Sequence, residues 1–505
     1  MPQSATSDAN NAQPDALTEQ MRVRREKRTR LLERGLSPYP LSVPRTHTLR
    51  EITSSYDAQQ LGVDHETGDH VAVTGRVIFL RNTGKLCFVR LREGDGSELQ
   101  AMLSDADLGA ESLSDFKALV DIGDHLCVNG EVVTSRRGEL SIKAHSWQMA
   151  AKALRPLPNE HRPLSEESRV RLRYVDMILR PESRAIVRNK AAVLRALRST
   201  LDSRGFIEVE TPVLQLTNGG AAARPFTTHL NAFDQPMLLR IALELDLKRA
   251  LVGGVERVYE IGRTFRNEGI DSTHAAEFSM LEAYEAYGDY NSMAELTRDL
   301  VTNAARAINR TKVRGRDGTE IDLEGEWRHA TLFELVSEAV SDELTLTTPI
   351  ESLRAHADKH NVEISATWLE GEILLELYEK LVEHTLITPT FVMDYPESVR
   401  PLAQPHRSEP GLVEAFDIVI NGVELGAAYS ELNDPVIQRE RLTEQSLLAA
   451  QGDFEAMDLD ETFLRALEFG MPPAGGVGIG VDRLLMLLEG VGIRQTILFP
   501  LLRPE

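Results

Sequence analysis

Charged, aromatic and glycine residues gather in four blocks of the sequence at spacings that could do chemistry. In residues 257–290, RVYEIGRTFRNEGIDSTHAAEFSMLEAYEAYGDY, a β-type run delivers Arg266 to the loop NEGIDSTHAAE, and FSMLEAY resumes extended structure. Arg263, Arg266, Glu268, His274, Glu277 and Glu282 alternate there with Phe265, Phe278 and Tyr284. Such a hairpin suits a nucleotide, with arginine and histidine on phosphates and phenylalanine under a base. A purely structural ion-pair network would draw on the same residue types.

The other three blocks supply complementary groups. Residues 414–434, EAFDIVINGVELGAAYSELND, place Asp417 and Glu424 on either side of a hairpin turn at Asn421-Gly422, so that both carboxylates approach one point. Two such oxygens bridging to a polyphosphate are a usual way to hold Mg²⁺, although two solvated edge carboxylates would read the same. Residues 205–226, GFIEVETPVLQLTNGGAAARPF, run a strand ending at Thr211-Pro212 into Gly219-Gly220, where a backbone can approach a ligand; alone, such a pair is usually only a turn. Residues 475–489, GGVGIGVDRLLMLLE, lead a small-residue strand into an apolar helix with Arg483 in its first turn, placed to meet an anion. No parallel βαβ pattern surrounds that glycine run, so it is not a dinucleotide fingerprint.

These groups need elements to hold them. Between residues 69 and 149, five β-rich runs are separated by Gly and Asp turns, the spacing of a small barrel of the OB type. A proline-rich connector, LRPLPNEHRPLS, follows at 154–165. Beyond it, helices predicted over 185–203 and 291–310 mix with strands in one large α+β domain. Helical patterning over 313–388 reads as an insertion between two of the chemical blocks. The domains expected are thus a disordered tail at 1–20, a basic helical segment at 21–66, the barrel at 67–153, the linker at 154–165 and the large domain at 166–505.

Composition narrows the partners. The 505 residues carry 56 Lys and Arg against 78 Asp and Glu, a formal net charge of −22, which argues against a protein that coats nucleic acid with its whole surface. A local basic face is still available in MRVRREKRTRLLERG, where Arg22, Arg24, Arg25, Lys27, Arg28, Arg30 and Arg34 share good helix formers. That helix reads either as a solvated face or as a phosphate contact. Only Cys87 and Cys127 occur, both in strand-like surroundings, so a reducing cytoplasm is expected rather than a disulfide scaffold. The polar N-terminal stretch lacks a signal-peptide core, and the most apolar late segment falls short of the ~20 residues that span a bilayer.

Taken together the blocks resemble a known set. Residues 205–226, 257–290 and 475–500 are similar, in order, to motifs 1, 2 and 3 of the class II aminoacyl-tRNA synthetases. FRNEG, GGAAARPF, SELNDP and TFVMDYP, with GKLCF and RRGELSI in the barrel and ALRPLP in the linker, resemble the bacterial lysyl-tRNA synthetase family of subclass IIb, over about residues 22–500.

The resemblance implies an α+β protein with an N-terminal OB-fold barrel that binds the anticodon. It further implies a class II catalytic domain, an antiparallel sheet flanked by helices, carrying a helical insertion. It implies ATP-dependent activation of L-lysine, transfer to the 3′ end of tRNA(Lys), Mg²⁺ as cofactor and a cytoplasmic homodimer with no membrane or DNA partner. By motif match Arg266 bridges the substrate carboxylate and α-phosphate and Arg483 holds the far end of the triphosphate. His274 faces phosphate, Phe278 stacks adenine against Arg483, and Glu268 lies beside the base. Asp417 and Glu424 match the metal ligands. Glu431, with Glu282 and Tyr284, fits the side-chain ammonium, which would be costly to bury unpaired. Glu244 and the Gly220 carbonyl would take the α-amine. In the barrel, Phe88 matches the base-stacking position, with Gln100 and Glu139 reading base edges.

Several positions depart from the family pattern. PELYLKR appears as LELDLKR, giving Leu243 and Asp246, and the usual Asn-Pro after the motif 2 histidine is Ala275-Ala276. An asparagine four residues before the ammonium-binding glutamate is Ala427, which removes a hydrogen bond of roughly 0.5–1.5 kcal/mol. A paralogue that activates a lysine analogue or charges another acceptor is the alternative these departures raise.

Overall fold

A computed structural model of the chain describes residues 18–158, 164–450 and 455–503. Most of the tail expected at 1–20 and the centre of the 154–165 connector lie outside the described residues. Two compact units are present: the first runs to residue 169 and includes 174–181, and the second holds 170–173 and continues from 182.

The first unit is built on a closed barrel. Strands β1 (Glu66–Asn82), β2 (Leu86–Arg92), β3 (Glu98–Ser104), β4 (His125–Thr134) and β5 (Leu140–Ala151) follow the order β1-β2-β3-β5-β4. Only the β3–β5 pair is parallel. Alternation puts Cys87, Val89 and Leu91 of β2 inside, against Val73, Leu103 and Ile142, and leaves Phe88 and Arg90 pointing outward. The helix Ala110–Leu119 closes the core with Leu113, Phe116 and Leu119. The N-terminal helix Glu19–Glu33 is capped by the Thr18 side chain and buries Met21, Arg24 and Leu31.

The second unit centres on an eight-stranded sheet. After β6 (Ile207–Glu208), β7 (Leu214–Gln215), β8 (Thr227–Leu230) and β9 (Gln235–Leu239) form a separate small sheet of order β7-β9-β8. Then come β10 (Arg257–Phe265), β11 (Glu277–Ala286), the hairpin β12 (Lys312–Arg314) and β13 (Glu320–Asp322), β14 (Arg328–Thr331), β15 (Thr390–Pro396), β16 (Leu412–Ile420), β17 (Val423–Ser430) and β18 (Ala474–Gly480). The sheet order is β14-β15-β16-β17-β18-β11-β10-β6, antiparallel except for the outermost pair at each edge. Val193, Leu197, Leu300, Leu484 and Leu485, from the helices Pro181–Ser203, Tyr290–Ala307 and Val481–Glu489, cover one face. Asp289 caps the middle helix through the Asn291 and Ser292 amides.

Two expectations change. The strand expected to reach Thr211-Pro212 pairs only at Ile207 and Glu208, because beyond Val209 the Thr211 amide and hydroxyl turn to the Glu260 carboxylate instead of a neighbouring strand. The insertion at 313–388 is helical only from Leu332 onward, through Leu332–Val340, Ile350–His360 and Glu370–Leu381. Before that, the β12–β13 hairpin turns at Asp317-Gly318 and buries the β-branched Val313 and Ile321 opposite each other.

Candidate active site

Strand alternation decides what faces the cavity. On β11, Leu281 and Ala283 enter the core beneath the sheet, so Phe278, Met280, Glu282 and Tyr284 rise from the other face. On β18, Val477 and Ile479 point down and Gly476, Gly478 and Gly480 form a side-chain-free floor. The floor borders a cavity of 420 Å³, lined by all the groups expected to hold nucleotide, amines or metal. These are Gly220, Glu244, Arg266, Glu268, His274, Phe278, Glu282, Tyr284, Asp417, Glu424, Glu431 and Arg483.

One end is cationic. Arg266 leaves β10 and its guanidinium lies 5.4 Å from the centre of the Phe278 ring. Burial pushes its pKa down, opposed by the carboxylates of Glu424 and Glu268. Arg483, in the first turn of its helix, donates to the Glu424 carbonyl at 2.9 Å and sits 3.2 Å from His274 Nε2. His274 Nδ1 is 2.9 Å from Asp271, so the contacts fit a neutral ring that donates at Nδ1 and accepts at Nε2. Burial is the largest single influence on Asp271 and raises its pKa, but the hydrogen bonds from Thr273 and His274 together outweigh it and hold the carboxyl down to about 2. Glu268 accepts from the Arg224 amide at 3.0 Å, which ties the two loops together beside the cationic end. The Phe278 face expected to meet adenine with Arg483 carries Arg266 instead, while Arg483 points to His274 and Glu424.

The acidic pair lies beside this end. Asn421 and Gly422 both take positive φ, 59° and 65°, the tight turn that brings β17 back along β16. Asp417 is buried: its Oδ2 accepts from Tyr395 at 2.6 Å and from Arg400 at 2.7 Å, and its Oδ1 has no donor. Burial raises its pKa, against the pull of Arg400. Among the described residues no group of three or more His, Cys, Asp or Glu could enclose a metal. One orphaned Asp417 oxygen and the Glu424 carboxylate therefore fit a cation that takes its remaining ligands from phosphates and water, which is the habit of Mg²⁺.

The opposite end is acidic. Glu282 accepts from the Leu243 amide at 2.9 Å and the Tyr284 hydroxyl at 3.0 Å, and burial with the charge of Glu244 lifts it to about 7. Glu431 Oε1 is buried without a hydrogen-bond partner, and a Cβ on Gly476 would fall 2.0 Å from it. Lys248 Nζ lies 2.6 Å from Glu244 and 2.5 Å from Glu431. Gly220 joins the wall near Glu244. The departing residues have structural uses: Leu243 packs with Leu247 and Leu251, Asp246 pairs with Arg249 at 2.7 Å, and the Ala276 carbonyl accepts from the Arg266 amide at 2.9 Å.

On the barrel, β2, β3 and β5 are neighbours and bring Phe88, Gln100 and Glu139 to one region. The outward Phe88 ring lies 4.6 Å from the Arg81 guanidinium, so it is not a core phenylalanine. Gln100 donates to Ser141 at 3.0 Å and Glu139 accepts from Arg90 at 2.7 Å, with Arg90 and Gln100 in register.

The basic helix divides into side chains that anchor it and side chains that do not. Arg24 donates to the Ala153 and Ile122 carbonyls and Lys27 pairs with Asp121, so both anchor the helix to the barrel. Arg22 and Arg34 pair with Glu19, Glu26, Glu111 and Asp115. The Arg25, Arg28 and Arg30 side chains have no hydrogen-bond or ion-pair partner among the described residues.

Sequence reasoning missed Lys248, Arg400, Tyr395 and Tyr429. Lys248 had one legible sign, its position four residues after Glu244 on one helix face. Arg400 had none, since it meets Asp417 across 17 residues of sequence.

Known proteins are similar to both units. A family model described as tRNA synthetases class II (D, K and N) matches residues 165–503, and one for the OB-fold nucleic acid binding domain matches 71–150. The chain is 55% identical over 493 residues to a protein of Mycolicibacterium gilvum called lysine–tRNA ligase, covering 97% of this chain and 98% of that one. A protein of the same name from Kineococcus radiotolerans is 54% identical over 489 residues, 96% and 97% of the two chains. The lysylphosphatidylglycerol biosynthesis bifunctional protein LysX of Mycobacterium marinum is 47% identical over 509 residues, which is 45% of its length.

Proposed function

Because this chain belongs to the class II tRNA synthetases, within the lysine–tRNA ligase family, we propose that it activates L-lysine with ATP and transfers it to the 3′ end of tRNA(Lys). One observation carries the reading: a single cavity is cationic at one end, through Arg266 and Arg483, and acidic at the other, through Glu244, Glu282 and Glu431. A triphosphate and a diamino acid are the two ligands whose charges match those ends.

The first step joins the lysine carboxylate to the α-phosphorus of ATP as pyrophosphate leaves. Such in-line displacement depends on positioning and on charges already in place. Arg266, the cationic-end group that also faces Glu282 of the acidic end, is suited to hold the attacking carboxylate and the α-phosphate together. Arg483 and His274 suit the departing phosphates, with the His274 ring oriented by Asp271. For Phe278 to take adenine, the Arg266 guanidinium must swing from the ring toward phosphate. Asp417 Oδ1 and Glu424 would hold Mg²⁺, which when bound neutralises phosphate oxygens. Glu431 and Glu282, with Tyr284, accept the side-chain ammonium, and Glu244 with the Gly220 carbonyl accepts the α-amine. Phe88, Gln100 and Glu139 offer a stacking ring and polar edges to anticodon bases.

A homodimer in the cytoplasm belongs to the same reading, and sedimentation of the purified chain tests the dimer. No helix among the described residues is long and apolar enough to cross a membrane. Aminoacylation tests the reading as a whole: tRNA(Lys) is expected to be charged with lysine and not with ornithine or a β-amino isomer. Ala427 on the cavity wall, without an amide, favours a second reading in which such an analogue is also accepted, and equal charging with one would support it.

A further inference from the structure

Lys248 has no part in the chemistry described so far, yet it is fully buried and lies behind the cavity wall, touching two of the three carboxylates at the acidic end, Glu244 and Glu431 but not Glu282. It approaches Glu244 from one helical turn away on the helix Glu244–Val252, and it reaches Glu431 from across the fold. Glu431 thus has Oε2 in ion-pair contact with Lys248, neither of its buried oxygens has a hydrogen-bond donor, and Oε1 stands above the Gly476 floor.

Resting on the lysine reading of the cavity, we propose that Lys248 is a positioning and charge-setting residue: it fixes Glu244 and Glu431 and cancels one of three carboxylate charges. Two negative charges then remain for a substrate that brings two ammonium groups. A monoamino acid of the same length leaves one buried carboxylate unpaired, which is the costly situation. The substrate's own carboxylate is matched separately by Arg266.

The surroundings agree with this count. Burial alone would lower the Lys248 pKa, but Glu244 and Glu431 more than offset it and push it up to about 12, so the internal ammonium stays charged. Burial and mutual repulsion raise Glu431 and Glu282, the former against the pull of Lys248. The groups facing them are Glu244 and Lys248 from the helix, Tyr284 on β11 and Arg266 beyond it; Tyr429 on β17 lies among them with Arg400 behind. Two entering ammonium groups favour ionised carboxylates, so lysine binding releases protons near neutral pH.

Lys248→Met in the full chain tests this by ATP–pyrophosphate exchange and by titration calorimetry of L-lysine in buffers of different ionisation heat. The KM for lysine is expected to rise about tenfold or more, with kcat and the KM for ATP within about threefold. The variant complex should keep about one carboxyl proton that the wild-type complex loses, and its lysine affinity should still fall as pH falls, over a pH window displaced upward from that of the wild type. An unchanged KM and proton count would overturn the proposal, as would an equal loss in kcat and in the KM for ATP. Should the variant not fold, the wild type decides. Proton release on binding lysine, with norleucine unbound where lysine saturates, supports the proposal; proton uptake, or equal binding of norleucine, overturns it. Wild-type protein that binds no lysine overturns the lysine reading itself, whereas a wild type that binds it and a variant that behaves identically overturn only the role of Lys248.

Discussion

The guanidinium of Arg400 reaches one oxygen of Asp417 at 2.7 Å and leaves the other oxygen of that buried carboxylate without a donor. The ion pair positions a carboxylate that could not otherwise remain charged inside the fold, and it reserves one oxygen for a cation. Arg400→Met strands the Asp417 charge. Removing one partner of such a pair is expected to cost roughly 3 kcal/mol, read as a lower urea midpoint with an unchanged slope. Asp417→Asn with Arg400 intact should instead raise the Mg²⁺ concentration needed for half-maximal exchange.

Gly476 makes the amine end possible. A Cβ there would stand 2.0 Å from Glu431 Oε1 and 2.4 Å from the Tyr284 ring. Gly476→Ala is therefore expected to raise the KM for lysine by about a hundredfold, equivalent to roughly 2.7 kcal/mol. Protection against thermal unfolding by Mg-ATP should survive, because the nucleotide lies at the other end.

The pH dependence has a defined sign. Burial, then Glu244, lifts Glu282 to about 7, so below that pH the free pocket holds a neutral carboxyl that attracts an ammonium poorly. The KM for lysine should fall as pH rises through about 7 and go on falling through about 8, where Glu431, lifted by burial against the pull of Lys248, also ionises. Glu282→Gln should flatten this part of the profile while raising KM throughout.

The N-terminal helix divides into anchors and free cations. Replacing Arg25, Arg28 and Arg30 together by Gln is expected to weaken tRNA binding and to reduce the slope of log Kd against log salt by about two to three. Arg24→Gln should lower the melting temperature instead, since that side chain holds the Ala153 and Ile122 carbonyls. Filter binding across a salt series, with melting curves, separates the two effects.

Much of this was legible in the residue pattern because it depends on local periodicity. The alternation in FSMLEAYEA announced which side chains of β11 could share a face, and Asn421-Gly422 announced the turn that pairs Asp417 with Glu424. What escaped notice depends on contacts distant in sequence. Arg400 beside Asp417 and Lys248 beside Glu431 are ion pairs closed only by the tertiary fold; nothing near Arg400 in sequence marks it, and the Glu244–Lys248 spacing marks only the local half of the Lys248 contacts. The β12–β13 hairpin escaped for another reason: its strands are three residues each, too short for alternation to stand out beside the helical runs that follow.

The central claim is that one cavity joins a nucleotide to lysine through Arg266, and amino-acid-dependent ATP–pyrophosphate exchange measures that step directly. Exchange is expected to require lysine and to fall by about a thousandfold in Arg266→Ala, equivalent to about 4 kcal/mol of transition-state stabilisation. Exchange that is absent with every amino acid, or that persists undiminished in Arg266→Ala, would contradict the account.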